Sequence, residues 1–221
     1  MLQTPTLNYI KKLAKNNNKP WFEEHRELFN NAKADFENLV TDVIAKFGKT
    51  DTDIAPLLAK NCVFRQYRDV RFSKDKTPYK SHMGASFDKG GKKSGLAGYY
   101  LHLDPGNKSF IGGGIWMPEA PQLKKIRQEI DYNWDEFNGI IQHKDFKKIY
   151  GDVAQGEYKL SREPKGYEKD NPAIEYLKLK SVVAMHNIGD DDLTSKGATD
   201  KIAKAFAALM PLVNFINRSL E

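Results

Sequence analysis

The apolar residues of this chain change their spacing twice, and that switch constrains the fold more than any other feature. In the first third they recur every three or four residues, the period of a helix face. Thr4-Pro5 caps and opens a first helix, with Leu7, Ile10, Leu13 and Ala14 continuing it until Asn16-Asn17-Asn18 breaks it. A longer helix is predicted from about Pro20, with Phe22, His25, Phe29, Ala32, Phe36, Leu39, Val43 and Phe47 along one side. Gly48 is its expected stop, in a cap that commonly takes positive φ.

The middle third alternates instead. Val63, Arg65 and Tyr67 alternate with Cys62, Phe64 and Gln66, as in a strand, and His82–Phe87, Gly98–Leu103 and Phe110–Trp116 read as further short strands. Asp104-Pro105-Gly106-Asn107 is a strong turn signal, so the last two should pair as a hairpin. Helical spacing returns after Pro118, first through Leu123, Ile126, Ile130 and Trp134, then around Phe137–Ile141 and Phe146–Tyr150. Residues 161–170 are irregular, Pro172–Lys180 reads as a helix, and Val182–Met185 as one more strand. Ile202, Phe206, Leu209, Val213 and Ile216 mark a closing helix through Pro211. Residues 1–221 thus predict one α+β domain: a mainly antiparallel central sheet flanked by N-terminal, middle and C-terminal helices.

Composition supports a packed domain. Three Trp, ten Tyr and twelve Phe in 221 residues supply the large side chains of a core. The single cysteine, Cys62, excludes an internal disulfide and any zinc site of several thiolates, and favours a reducing compartment. The first residues carry no signal-peptide pattern, and no run approaches the roughly 18 to 20 apolar residues of a membrane span. A cytoplasmic protein without a membrane partner is expected.

Charge is concentrated. The chain carries +6, yet Lys60–Lys93 alone holds ten basic and three acidic residues, leaving the rest close to neutral. Within it, residues 64–80 read Phe-Arg-Gln-Tyr-Arg-Asp-Val-Arg-Phe-Ser-Lys-Asp-Lys-Thr-Pro-Tyr-Lys. This run resembles the hallmark of the DUF2461 family of bacterial and fungal proteins. Asn17-Asn18-Lys19-Pro20-Trp21-Phe22, Tyr99-Tyr100-Leu101-His102-Leu103, Gly112-Gly113-Gly114, Arg162-x-Pro164-Lys165-Gly166-Tyr167 and Pro172 extend the likeness over nearly the whole chain. The resemblance implies a single-domain family and brings no established activity or catalytic residue with it.

Function therefore has to be read from the residues. Arg65, Arg68 and Arg71 offer planar forks for phosphate or carboxylate oxygens, and Lys76 and Lys80 add point charges. Tyr67, Phe72 and Tyr79 are interleaved rings, and Ser73 adds a hydroxyl donor. The expected partner is an anionic small molecule. Against this stands a structural reading, in which Asp69 and Asp75 absorb the same arginines and merely lock a long turn. Nucleic acid is the third reading, weakened by the near-neutral remainder of the chain and by the absence of a known nucleic-acid motif. Oligomeric state is left open.

The remaining constellations are thinner. Gly112-Gly113-Gly114 lacks the Lys-Ser/Thr of a phosphate-binding loop; Gly113 is retained as a point where backbone could approach a ligand, the alternative being tight packing beside Trp116. His82 and His102 fall on two predicted strands, and His102, on one face with Tyr100 and Asp104, is with Asp69 the candidate for acid–base chemistry. No metal-binding spacing occurs and no cofactor is indicated. His25 reads as core or cleft lining, Cys62 as a small buried residue, and the Arg162–Tyr167 loop as either a second cleft wall or a packed connection.

Overall fold

The protein is described from a computed structural model over residues 1–154, 156 and 159–221. In chain order its elements are α1 (Thr4–Lys15), α2 (Lys19–Glu24), α3 (Arg26–Phe47), α4 (Ala59–Cys62), β1 (Met83–Asp88), β2 (Gly98–Leu103), β3 (Ser109–Ile115), α5 (Ala120–Tyr132), α6 (Trp134–Gln142), α7 (Lys144–Tyr150), α8 (Ile174–Leu177), β4 (Val182–Ile188), α9 (Asp190–Thr194) and α10 (Ala198–Leu220). The fold is α+β, as the alternation of apolar periods requires. No helix among the described residues is long and apolar enough to cross a membrane.

The four strands form one antiparallel sheet in the order β1-β2-β3-β4. The β2–β3 hairpin forms at the predicted turn, where Gly106 and Asn107 take positive φ. Asp190 secures that turn by accepting the Gly106 and Asn107 amides at 2.9 and 3.2 Å. After β3 the chain runs through α5 to α8 and returns as β4 beside β3.

Strand pleating sends alternate side chains to opposite faces. On one face Phe87, Tyr99, Leu101, Ile111 and Ala184 are buried beneath helices. Phe206 of α10 packs on Tyr99 and Phe87 at 5.0 and 5.2 Å, and Phe47 of α3 meets Tyr99 at 4.8 Å. Register places Gly84, Ser86, Asp88, Tyr100, His102, Phe110, Gly112, Met185 and Asn187 together on the other face. That face is half-buried to open: Met185 is 46% exposed.

Four expectations are corrected. Residues 62–67 are not a strand: Cys62 closes α4, and among the described residues the segment after it pairs its backbone with the sheet through the isolated bridge Val63↔Ala85 alone. Gln66 explains the departure, because its buried amide turns inward to donate to the carbonyls of Lys80 and His82. The long second helix is interrupted at His25, whose ring nitrogen and backbone N–H both lie on the Trp21 carbonyl, at 2.9 and 3.0 Å. Gly48 has φ −60°, so it is not a left-handed cap; a Cβ there would lie 2.6 Å from the Ile44 oxygen and 2.8 Å from Ala55 Cα. Close approach, not backbone handedness, requires the glycine. The predicted Pro172–Lys180 helix is realised only over Ile174–Leu177.

Candidate anion site

The basic segment leaves α4 and folds back on itself before β1. Arg68 N–H donates to the Pro78 carbonyl at 2.9 Å and Lys80 N–H to that of Gln66 at 2.9 Å, on either side of a Tyr67↔Tyr79 bridge. Its base is built into the core. Tyr79 is 2% exposed and stacks on Phe22 at 4.0 Å, while Asn17 accepts from the Tyr79 amide and donates to its carbonyl at 3.0 and 2.8 Å. Tyr79 is therefore unavailable to a ligand. Tyr67 packs against it at 5.2 Å, and its hydroxyl accepts from Arg26 at 3.4 Å.

The question raised by the sequence, whether the aspartates absorb the arginines, has a divided answer. Arg68 donates to the carboxylate of Asp75, to the hydroxyl and carbonyl of Thr77, and to Ser73 Oγ at 3.4 Å. Backbone and hydroxyl donation from Thr77, with Arg68, holds the Asp75 carboxyl down at about 2. Arg71 is forked onto Asp69 at 2.7 and 3.0 Å, and that pair lowers Asp69 below the usual carboxylate range. Lys76 donates to the Val70 carbonyl at 3.0 Å. Arg68, Ser73 and Lys76 thus secure the loop, while the Asp69–Arg71 pair stands exposed at its tip. At its tip Phe72 is 96% exposed.

Arg65 and Lys80 are different. Among the described residues neither has a carboxylate within ion-pair distance. Lys80 Nζ lies 5.3 Å from the centre of the Phe64 ring, and Lys92, from the loop between β1 and β2, lies 5.0 Å from the same ring while donating to the Val63 carbonyl at 2.7 Å. Burial, then the charges of Arg65 and Lys92, push the Lys80 pKa below its ordinary value. Asp69 acts on Arg65 and Asp88 on Lys92 only through longer-range charge, and cations concentrated without a carboxylate in ion-pair contact are the arrangement expected of an anion site.

This cationic cluster abuts the open sheet face. Phe64 meets Tyr100 at 6.2 Å, Tyr100 meets Phe110 at 5.8 Å, and His102 stacks on Phe110 at 4.6 Å with planes 14° apart. His82 lies 4.5 Å from His102, and Tyr100 Oη 3.4 Å from His102 Nδ1. Burial, reinforced by His82, depresses His102 to about 4, and burial with Lys80 lowers His82. Both rings are neutral near pH 7. Asp88, at the end of the same face, accepts from Ser86 Oγ at 2.7 and 2.8 Å, and burial raises its pKa.

Of the other predicted positions, Gly113 faces α10, where the Leu209 side chain lies 2.5 Å from the position of a Cβ. It is a packing glycine. Tyr167 of the 161–170 loop packs on the core near Arg127 and Asp131 of α5, while Arg162 and Lys165 of the same loop are exposed. Phe64, Lys92, Tyr100 and Phe110 join the site without having been candidates from the sequence. Two hollows lie away from this region, one of about 240 Å³ between Lys89 and Arg218 and one of about 440 Å³ beside Trp116 and Met117.

Residues 5–215 match the model of a family described as conserved hypothetical protein (DUF2461). The chain belongs to this family. The match spans α1 to most of α10, so both the basic segment and the open sheet face of this DUF2461 protein lie inside it. No curated protein and no solved structure matches the chain.

Proposed function

We propose that this protein binds an anionic small molecule, carrying phosphate or carboxylate, at Arg65 and Lys80 beside Phe64, with Lys92 adding charge. One observation carries the reading: among the described residues Arg65 and Lys80 lie close enough to repel without a carboxylate in ion-pair contact, the charge of Asp69 reaching Arg65 only at longer range, whereas Arg68 and Arg71 a few residues away are bonded to Asp75 and Asp69. Unbalanced like charge costs folding free energy, and a bound anion would offset it. The rest of the segment is its support, so the structural reading describes Arg68, Asp75 and Thr77 while the ligand reading describes Arg65 and Lys80. His102 and His82 border the cluster as neutral imidazoles and take the acid–base role in this reading, in place of Asp69, which is committed to Arg71. The lone buried Cys62 suits a reducing, cytoplasmic setting.

Thermal melts with pyrophosphate test this. At a hundredfold excess over Kd, stabilisation is about 2.7 kcal/mol, or roughly 5–10 °C for a chain of this size. Arg65→Ala and Lys80→Met should each abolish it, and Arg71→Ala should leave it intact. Absence of stabilisation by pyrophosphate, by simple phosphate esters and by dicarboxylates alike would reject the proposal.

A further inference from the structure

We propose that the anion is one end of the ligand and that the other is a planar heterocycle laid on the open sheet face, so that the site takes a phosphorylated ring of mononucleotide size. This rests on the anion reading of Arg65 and Lys80 and adds to it the chemistry of the adjoining surface.

The face has a defined polarity. Its cations stand at the β1 side, where the segment carrying Phe64, Arg65 and Lys80 meets the sheet through the Val63↔Ala85 bridge. Across β2, β3 and β4 the face continues with Tyr100, His102, Phe110, Gly112, Met185 and Asn187, none of them charged near pH 7. Four strands at the usual spacing span about 14 Å, the reach of one phosphate, one sugar and one base but not of a nucleotide chain. A polymer would need phosphate partners beyond the rings as well, and the described residues of this face offer none there.

The surface itself suits a ring. Phe64, Tyr100, Phe110, His102 and His82 form an unbroken run of aromatic neighbours, each within 6.2 Å of the next. Its profile is kept low by glycine. Gly84 lies beneath the Tyr100 ring, whose Cζ is 3.0 Å from where a Cβ would be, and Gly112 lies beneath Met185, whose Cγ would be 3.1 Å away. Glycine weakens a strand unless something must come close to it. At Gly84 the approaching group is the Tyr100 side chain, which lies across the strand, whereas at Gly112 the Ala184 carbonyl oxygen comes closest, at 2.5 Å from the Cβ position. The rings around them are inclined to one another by 14° to 62°, an aromatic surface with the Asn187 amide exposed at its rim. Stacking on such a surface tolerates many heterocycles, and charge-assisted bonds hold the phosphate.

Isothermal titration of the full chain with inorganic phosphate and pyrophosphate, with adenosine and uridine monophosphates, and with a twelve-residue single-stranded oligonucleotide separates the cases. Nucleoside monophosphates are expected to bind about 5- to 150-fold more tightly than inorganic phosphate does, the contribution of one stacked base. Phe64→Leu and Phe110→Leu keep apolar bulk but lose the ring face. Each should remove most of that advantage, read as the ratio of nucleotide to phosphate affinity. Phe110→Leu, away from the cations, should leave pyrophosphate binding and the melting temperature near wild type, while Phe64→Leu also unseats Lys80 and Lys92 and is judged on the ratio alone. Should pyrophosphate bind while the base adds nothing, or the two variants keep the full advantage, the ring proposal falls and the anion site survives. If none of these compounds binds, the anion reading fails and this one with it. Tighter, steeply salt-dependent binding of the oligonucleotide would overturn the mononucleotide assignment in favour of a strand-binding surface.

Discussion

Gly84→Ala is the substitution that most directly tests how the sheet face is built. Gly84 has ordinary strand φ, so alanine meets no backbone strain, and in an open strand it would gain about 0.5–1 kcal/mol from the stiffer unfolded chain. The new methyl, however, overlaps Tyr100 Oη and lies 3.0 and 3.3 Å from Cζ and Cε2. The tyrosine cannot simply swing away, because Phe64 and Phe110 flank its ring at 6.2 and 5.8 Å and His102 meets its hydroxyl. Overpacking of this kind costs about 1–3 kcal/mol; from the middle of that range upward it exceeds the entropic gain and leaves a net loss of about 1–2 kcal/mol. For a chain of this length the melting temperature should fall by roughly 2–8 °C. Removing the overlapping oxygen supplies the control. Tyr100→Phe alone loses only a long contact to His102, and combined with Gly84→Ala it should recover more than half the loss, giving a favourable coupling in a double-mutant cycle. Calorimetric melts of the four proteins measure it. If Gly84→Ala is neutral or stabilising, or Tyr100→Phe gives no recovery, Tyr100 does not lie across Gly84 and the sheet face is wrongly drawn.

The basic segment should separate by partner: Arg68→Ala, which strips bonds from the Thr77 carbonyl and hydroxyl and from Asp75, should cost about 1–2 kcal/mol and 2–8 °C in a melt, while Arg71→Ala at the exposed tip should change nothing. Equal effects of the two would contradict the division into clasp and tip. His102 contributes to pH dependence: its folded pKa of about 4 lies below the unfolded value near 6.5, so the unfolded chain binds its proton first. Its stabilising contribution is therefore full above pH 6.5 and declines as pH falls towards 4; His102→Gln should flatten that part of the stability profile, and an unchanged profile would argue against burial of the ring beside His82. Cys62, its thiol pushed up to about 11 by burial, should resist iodoacetamide at pH 8 in the native state and react only on denaturation, as mass spectrometry would show.

How far the sequence disclosed the fold depends on the range of the interactions concerned. Helices and hairpins are specified locally, so the apolar stripes, Pro5, Asn18 and the Asp104–Asn107 turn placed α1, the later helices and the β2–β3 pair close to where they lie. The errors sit where a distant group decides. His25 interrupts a helix whose apolar stripe runs straight through it, because the ring itself competes for the Trp21 carbonyl. Residues 62–67 alternate like a strand but are withdrawn from the sheet by Gln66, whose partners at Lys80 and His82 lie 14 and 16 residues on. Gly48 looks like a cap by type and is required by Ala55 instead.

The same distinction explains why the site was only half legible. Charge density is readable in one dimension, and it singled out the segment from Arg65 to Lys80. Which cations remain without acidic partners is not, since Arg65, Arg68 and Arg71 are chemically alike and differ only in what the folded loop sets beside them. Asp75 reaches back seven residues to Arg68 through the turn that Thr77 closes, and Asp69 turns to Arg71, two residues on rather than one back. That choice leaves Arg65 with Lys80, and Lys92 from the β1–β2 loop joins them across Phe64. The sheet-face alternation of Tyr100 and His102 was visible from spacing, but Phe64 and Phe110 join that face only through packing and register. A segment recognisable by its charge is thus structural for most of its length. The part proposed to meet a ligand is the short stretch where no aspartate comes into ion-pair contact and the aromatic face begins.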